Sequence, residues 1–160
     1  MARFIPSGVV KVVLAPAVAG TSPTRAEINA GVVVAAPGTV ADEGLIALNG
    51  FESATQNVAV PDASSTFTAT IPGRTEANEA SMEFYDSDAS HTVWTALAEN
   101  AEKYVLKMPY GDVAGRMLEV WKVRVGARNR SAVNAENNAA TVTYTVGISQ
   151  PPVKDATIPA

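Results

Sequence analysis

The sequence lacks the residues and motifs on which most enzymes depend. Its 160 residues include no cysteine, so it has no disulfide framework and no thiolate metal site. A single histidine, His91, is the one imidazole that could act as a general base, and no Gly-x-Ser-x-Gly elbow supplies a nucleophile. No glycine-rich loop suited to a phosphate group is present. We therefore expect no catalytic, cofactor-binding or metal-binding residues.

Positive charge is also scarce. The 12 Lys and Arg residues are outnumbered by 16 Asp and Glu residues, which gives a net charge of -4. Proteins that grip nucleic acid need a basic stripe that displaces counterions from phosphates, and here the basic residues are scattered. The composition argues against tight DNA binding, although it is compatible with a protein that lies next to DNA without binding it. No apolar run approaches the roughly 18 residues of a membrane span.

One short stretch contains residue types that could hold a divalent ion. Asp86, Asp88 and His91 lie within six positions of one another, and carboxylates and imidazole are common ligands. Their spacing matches no established metal-binding loop, and further ligands are not evident. Asp and Ser side chains at this place are typical helix N-caps, so we expect Asp88 or Ser90 to cap a following helix.

The N-terminal region weakly resembles a secretory signal. Residues 9–19 are largely apolar and end in Ala17-Val18-Ala19, which is similar to a cleavage site. Lys11 and Pro16 interrupt the apolar run, so a strand followed by a turn is the favoured interpretation. The alternative is a secreted Ig-like binding module whose mature chain starts near Gly20.

Alternating apolar and polar residues predict a mostly β chain. Val, Thr and Ala dominate, with 11 Gly and 10 Pro, a mixture that favours strands and turns. One helix is predicted from about His91 to Glu102, and Pro72-Gly73 is predicted to be a turn. We expect one domain over residues 1–160, a β-sandwich or barrel of about seven or eight strands with one flanking α-helix. Strands are predicted at residues 9–14, 31–36, 65–71, 81–85, 103–108, 118–125 and 140–148.

Other segments lack periodicity. An N-terminal arm (1–8), a long loop (37–62) and a C-terminal extension (150–160) carry no clear strand or helix pattern, and residues 15–30 are also loop-like. The loop 37–62 is long for a connection inside a compact domain. Loops of that length usually serve a purpose or are ordered by a partner.

Taken in order along the chain, several short motifs resemble the major tail tube proteins of long-tailed, siphovirus-type bacteriophages. The resemblance spans nearly the whole chain and rests on the order of the motifs. They are Pro-Thr-x-x-Glu-Ile-x-x-Gly at residues 23–31, Ile71-Pro72-Gly73-Arg74, Glu83-Phe84-Tyr85-Asp86 before Val93-Trp94-x-x-Leu97, a Tyr110-Gly111 turn, and a Thr-rich last strand before Gln150-Pro151-Pro152.

This resemblance implies a structural protein and not an enzyme. In that family six subunits close a ring, and rings stack into a tube that carries the genome from capsid to host. The implied partners are further copies of the chain, the tape measure protein, the tail terminator, distal tail or baseplate proteins, and double-stranded DNA that passes through the lumen without specific binding. The implied location is the virion tail, which is assembled in the host cytoplasm. No membrane is implied as a partner. The alternative within this class is the inner tube of a contractile tail or injection machine.

The resemblance also directs attention to particular residues. Glu79 and Glu83 are expected to face the lumen, because an acidic wall repels phosphates and lets DNA slide. The loop 40–62, the N-terminal arm around residues 4–6 and the tail from Pro151 are expected to become ordered only when rings form. Contacts between subunits or rings are expected from residues in those segments, namely Phe4, Ile5, Leu45, Ile46, Phe51, Pro151 and Pro152.

Overall fold

Antiparallel strands dominate the chain. The computed structural model describes residues 9–39, 42–131 and 139–160. Within these ranges the chain forms ten strands and two five-residue helices, which confirms the predicted mostly-β fold class. In chain order the elements are β1 (Lys11–Ala15), α1 (Arg25–Asn29), β2 (Val32–Ala35), β3 (Leu45–Asn49), β4 (Ser53–Val60), β5 (Ala69–Ala77), β6 (Ala80–Tyr85), α2 (Thr92–Ala96), β7 (Glu102–Met108), β8 (Met117–Arg130), β9 (Thr141–Ile148) and β10 (Val153–Thr157).

Eight strands form one sheet, and the other two form a separate hairpin. The main sheet runs β2-β1-β7-β8-β9-β6-β3, with β10 paired to β8. The 14-residue β8 is long enough to pair with β7 along one side and with both β9 and β10 along the other. Strands β4 and β5 pair only with each other. The hairpin β4–β5 therefore extends from the end of the β3–β6 ribbon.

The main sheet buries apolar side chains on both faces because its central strands alternate between two apolar clusters. On β8, Trp121 and Val123 pack into one cluster, whereas Leu118 and Val120 pack into the other. The larger cluster is covered by α2 and by the rolled sheet itself, and the smaller is covered by α1 and the C-terminal residues. Edge-to-face aromatic pairs in the larger cluster join Phe51 to Trp121 and Phe84 to Tyr144, at centroid distances of 5.6 and 5.5 Å.

The predicted helix is shorter than its apolar stripe indicated. Helix α2 ends at Ala96, although Leu97 is fully buried beside it. Asn100 has a positive φ, its N–H donates to the carbonyl of Val125, and the Val125 N–H donates to Ala101 at 2.9 Å. Backbone pairing with Val125, in the middle of β8, thus replaces the last helical turns, because tertiary contacts override a weak helix propensity.

A second helix lies in a region that was expected to be a loop. Helix α1 begins with a capping box in which the Glu27 N–H donates to Thr24 and the Thr24 N–H donates to the Glu27 carboxylate at 2.7 Å. Ile28 is buried against the smaller cluster. The cap explains the spacing within the Pro-Thr-x-x-Glu-Ile motif.

The predicted loop 37–62 and the predicted turn at Pro72-Gly73 are wrong. Strands β3 and β4 lie within the loop, and Pro72 and Gly73 lie inside β5. The C-terminal extension also contains a strand, because β10 pairs with β8 and Ile158 is buried. The N-terminal arm 1–8 lies outside the described residues.

Candidate assembly surfaces

The β4–β5 hairpin is the most exposed part of the described chain. Every residue from 54 to 79 is exposed to solvent. Cross-strand polar pairs hold it together: Thr55 and Thr75 share a hydrogen bond of 3.1 Å, and Gln56 donates to Glu76 at 3.0 Å. A two-stranded hairpin alone is marginally stable in water, so this one needs another surface for full stability.

Large apolar side chains on this hairpin are uncovered. Phe67 is 75% exposed and Ile71 is 54% exposed, and Val58 and Val60 are also exposed. Exposed apolar residues grouped in this way mark interaction sites on soluble proteins. The hairpin is therefore the first candidate for a contact with another chain.

A β-bulge distorts the hairpin midway along its length. Thr55 pairs with Thr75 and Asn57 pairs with Pro72, so β5 carries one extra residue between these pairs. A Cβ atom at Gly73 would lie 2.7 Å from a Val58 methyl group and 2.9 Å from the Gln56 carbonyl oxygen. Proline inside a strand is confined to edges and bulges because it donates no ladder hydrogen bond. The Pro-Gly pair therefore marks a bulge.

Residues 50–52 and residues 78–79 join the hairpin to the main sheet, and these two segments approach each other closely. Gly50 has φ of +73°, and a Cβ atom there would overlap the carbonyl oxygen of Glu79. Only glycine adopts this conformation at this separation without strain. Lys154 of β10 also donates to the Ser53 hydroxyl at 2.7 Å. The base of the hairpin is thus held by backbone packing and by a hydrogen bond to β10.

A cleft, which we call the base cleft, separates the hairpin base from the β9–β10 connection. Its volume is about 730 Å³. Ile148, Pro151 and Pro152 supply apolar lining on one side, and Arg74 and Lys154 supply two cations. Glu76 also lines it and lies 3.9 Å from the Arg74 guanidinium. The structure therefore places Pro151 and Pro152 at a concave surface.

A polar surface covers the outer side of β6 and β9. Ala80 and Met82 are buried, so Glu79, Ser81 and Glu83 alternate with them on the opposite side. Ser81 pairs with Thr145 and Glu83 with Thr143. Glu79 also lines a smaller cleft of about 420 Å³ with Thr145 and Gly147. The structure thus brings the two predicted lumen residues onto one Thr-rich surface, which we call the threonine face.

The remaining predicted contact residues have different surroundings. Ile46 is 40% exposed on β3, which ends the sheet within the described residues. Leu45 is partly buried against the larger cluster. Phe51 is buried and packs edge-to-face on Trp121, so the chain's own core uses its side chain, contrary to its expected role at a subunit contact. Phe4 and Ile5 lie outside the described residues.

Helix α2 is capped by a residue that the sequence did not point to. Neither Asp88 nor Ser90 caps the helix: its N-cap residue is His91, which makes no side-chain capping bond. Instead the buried Glu43 accepts from the Val93 N–H at 2.8 Å and from the Trp94 N–H at 3.4 Å. This carboxylate satisfies free N–H groups at the positive end of the helix. No local signal could have found it, because Glu43 lies 50 residues away along the chain.

Two arginines of β8 stack on one tryptophan. The guanidinium carbons of Arg128 and Arg130 lie 4.0 and 4.6 Å from the Trp94 ring centroid. Arg130 also pairs with Asp86 at 3.2 Å, and burial raises the pKa of the neighbouring Tyr144 to about 12. Both cations contact the chain's own side chains, and the Arg130 side chain remains 55% exposed.

The clustered carboxylates near His91 line a shallow cleft. Asp42, Asp86, Asp88 and His91 surround about 560 Å³. Across the ranges that the structure describes, no three such side chains are placed to hold a metal ion. Neither helix in those ranges is long and apolar enough to cross a membrane.

The comparison that decides the family covers the whole chain. A protein-family model described as "Phage tail tube protein" matches residues 1–160. The chain belongs to this family of phage tail tube proteins. No curated protein matches the sequence.

Solved structures share the fold of this tail tube protein at very low sequence identity. One is described as the sheath/tube terminator of PVC, an extracellular contractile injection system, in the extended state; its TM-score is 0.60 at 10% identity, over 97% of this chain and 99% of that chain. The PVC sheath-tube complex in the extended state has a TM-score of 0.60 at 10% identity, over 94% of this chain and 92% of that chain. The baseplate of the anti-feeding prophage, AFP, has a TM-score of 0.58 at 9% identity, over 96% of this chain and 98% of that chain. The likeness in fold to these structures spans 94–97% of this chain.

Proposed function

We propose that this tail tube protein is a structural subunit, and not an enzyme, that associates into hexameric rings stacked as a tube. The tube is the conduit through which a phage genome reaches the host. The single observation that carries the proposal is the β4–β5 hairpin, whose exposed apolar side chains have no cover in the subunit. Membership of the tail tube family supports it. So does the AFP baseplate, which is described as 6-fold symmetrised.

Ring closure would use the edges of the main sheet. Strands β2 and β3 are its two ends, and Val33 and Ile46 on them are exposed. Each has one side without a partner strand among the described residues. A strand edge binds another chain through backbone hydrogen bonds and needs no special side chains. Contact between two different edges is heterologous, and it closes into a ring when the rotation permits.

The threonine face is our candidate for the lumen wall. Glu79 and Glu83 put carboxylates on a surface whose other side chains are mainly Ser and Thr, with the exposed Tyr85 opposite Thr141 at one end. Negative charge repels the phosphates of DNA, and the short hydroxyl side chains offer no stacking surface. DNA would therefore pass without specific binding.

The partners and location follow from the same proposal. Besides copies of itself, the subunit would meet a tape measure protein, a tail terminator and distal tail or baseplate proteins. It would be assembled in the bacterial cytoplasm and reside in the virion tail. A siphovirus-type tail is the first candidate. The second is the inner tube of a contractile machine, which the likeness to the PVC and AFP structures favours.

Negative-stain electron microscopy at increasing protein concentration tests self-assembly. We expect rings or hollow tubes, and image averages of the rings should show six subunits. If the protein stays monomeric even with an added tail initiator complex, the proposal is wrong, and N-terminal sequencing should then test for the secreted module. Native particles separate the two tail types, because only a contractile machine surrounds its tube with a sheath.

A further inference from the structure

We propose that the hairpin tip of one copy inserts into the base cleft of the next copy along the tube. Here the tip means residues 61–68, between β4 and β5. This inference rests on the proposed function, because it names the contact that joins one ring to the next. It assigns a partner to the base cleft, and it explains why the subunit leaves both surfaces uncovered.

The tip offers one aromatic side chain and one negative charge. Phe67 is the most exposed large apolar side chain among the described residues, at 75%. Asp62 is the only charged residue between Ser53 and Gly73. Its carboxylate accepts from the Ser64 N–H at 2.9 Å and from the Ser64 hydroxyl at 2.7 Å. These hydrogen bonds, led by the backbone one, lower the pKa of Asp62, so it stays charged.

The base cleft offers the complementary groups. Its apolar lining from Ile148, Pro151 and Pro152 suits an aromatic ring. Its cations, Arg74 and Lys154, suit a carboxylate, and the Arg74 side chain is 83% exposed. Arginine is well shaped for a carboxylate because its guanidinium can bind both oxygens. The cleft volume of about 730 Å³ leaves room for a loop tip as well as a ring.

The tip cannot reach the cleft of its own chain. The eight residues of β4 separate the two, and an extended strand of that length spans about 26 Å at ~3.3 Å per residue. Because tip and cleft are different surfaces of the same chain, each copy can donate one tip and accept another. Such a heterologous contact propagates without limit, which is what a tube of many rings requires.

Cysteine cross-linking tests this contact directly, because the chain has no natural cysteine. The double variant Thr66→Cys/Gln150→Cys places one thiol on the tip beside Phe67 and one in the cleft, and it keeps the aromatic ring. Under mild oxidation we expect a ladder of covalent multimers that collapses to monomer on reduction. A matched control, Thr66→Cys/Val113→Cys, pairs the same tip with an exposed position in the turn before β8 and should give no ladder.

Mixing and charge reversal give independent readouts. A mixture of the Thr66→Cys and Gln150→Cys single variants should stop at the cross-linked dimer, because each chain then carries one reactive thiol. Asp62→Lys should raise the concentration needed for tube formation at least tenfold, as should Arg74→Asp. Combining Asp62→Lys with Arg74→Asp should bring the concentration needed for tube formation most of the way back to that of the parent, because the two side chains then attract each other again. If the double variant assembles no better than the worse single variant, the charge contact is refuted.

Electron microscopy of the same oxidised samples separates the two hypotheses. Hollow tubes with the expected ladder support the contact. Hollow tubes without the ladder overturn the tip-in-cleft contact and leave self-assembly standing. A parent chain that forms neither rings nor tubes under any condition overturns the proposed function, and the inference with it.

Discussion

Replacement of Glu43 by alanine should destabilise the subunit through helix α2. The carboxylate is buried, at 8% exposure, and accepts from the Val93 N–H at 2.8 Å and from the Ser90 hydroxyl at 3.2 Å. A hydrogen bond to a charged acceptor contributes about 1.5–3 kcal/mol, and an anion at a helix N-terminus adds about 0.3–1 kcal/mol. The Trp94 N–H is farther away, at 3.4 Å, so we count it as weak.

If only the Val93 hydrogen bond and the helix charge are counted, the expected loss for Glu43→Ala is about 2–4 kcal/mol. For a chain of this length each kcal/mol lowers the melting temperature by about 2–4 °C, so the shift should be about 4–16 °C. Glu43→Gln retains one acceptor oxygen without the charge, and its loss should be intermediate.

Urea unfolding below the assembly concentration measures this effect, because association would otherwise add to the apparent stability. The midpoint should fall while the m-value is unchanged. The matched control is Asp42→Ala, which removes the adjacent, exposed carboxylate and should change stability by less than about 0.5 kcal/mol. If the two variants lose the same stability, our account of the cap is refuted.

Three further predictions address the hairpin base, acid stability and the lumen. Gly50→Ala should cost more than about 2 kcal/mol in urea unfolding, whereas Gly38→Ala, with a similar positive φ but open space around it, should cost only about 1 kcal/mol. Desolvation raises the pKa of Asp112, but hydrogen bonds from Lys11 and Arg25 outweigh desolvation and lower the pKa below 3.8. The contribution of the Asp112 carboxylate to folding stability is therefore present at neutral pH and is lost as pH falls through the pKa of the folded state. Asp112→Asn should cost about 1–2 kcal/mol at pH 7 in thermal unfolding, and the difference from the parent should shrink below about pH 4. Glu79→Lys/Glu83→Lys should slow DNA release from assembled particles in a fluorescent-dye ejection assay while tubes still form.

Each of these predictions has an outcome that contradicts its reasoning. Equal losses for the two glycine variants would mean that the Glu79 carbonyl oxygen does not crowd Gly50. A difference between Asp112→Asn and the parent that stays constant as pH falls from 7 through the whole acid range would show that the carboxylate charge is not the source of stability. Loss of tubes in the double lysine variant would place Glu79 and Glu83 at a subunit interface and not in the lumen.

The sequence alone determined the strands that have one face in the core. Strands β6 and β9 alternate between buried and outward residues at every position, so their period of two is visible in the residue types. The start of α2 was visible from its apolar stripe at helical spacing, and residues 118–125 of β8 were visible as an apolar run, although β8 continues to Arg130. Burial of one face imposes a pattern on the sequence, and the pattern then predicts the element.

Only the tertiary structure showed the elements that lack such a face. Strand β4 is exposed on both sides, so nothing forces Ser53–Val60 to alternate, and the segment reads as a loop. Strand β10 pairs with β8 through an irregular register, which hides its alternation.

The candidate assembly surfaces divide in the same way. The positions of Glu79, Ser81 and Glu83 on one side of a strand could be read from spacing, whereas the base cleft combines Arg74 with Pro151 and Lys154, residues far apart along the chain. Likewise Glu43 reaches α2 across 50 residues. A local pattern indicates on which side of its own strand a side chain lies. It does not indicate which residues that side chain contacts, because those residues belong to segments that are distant along the chain.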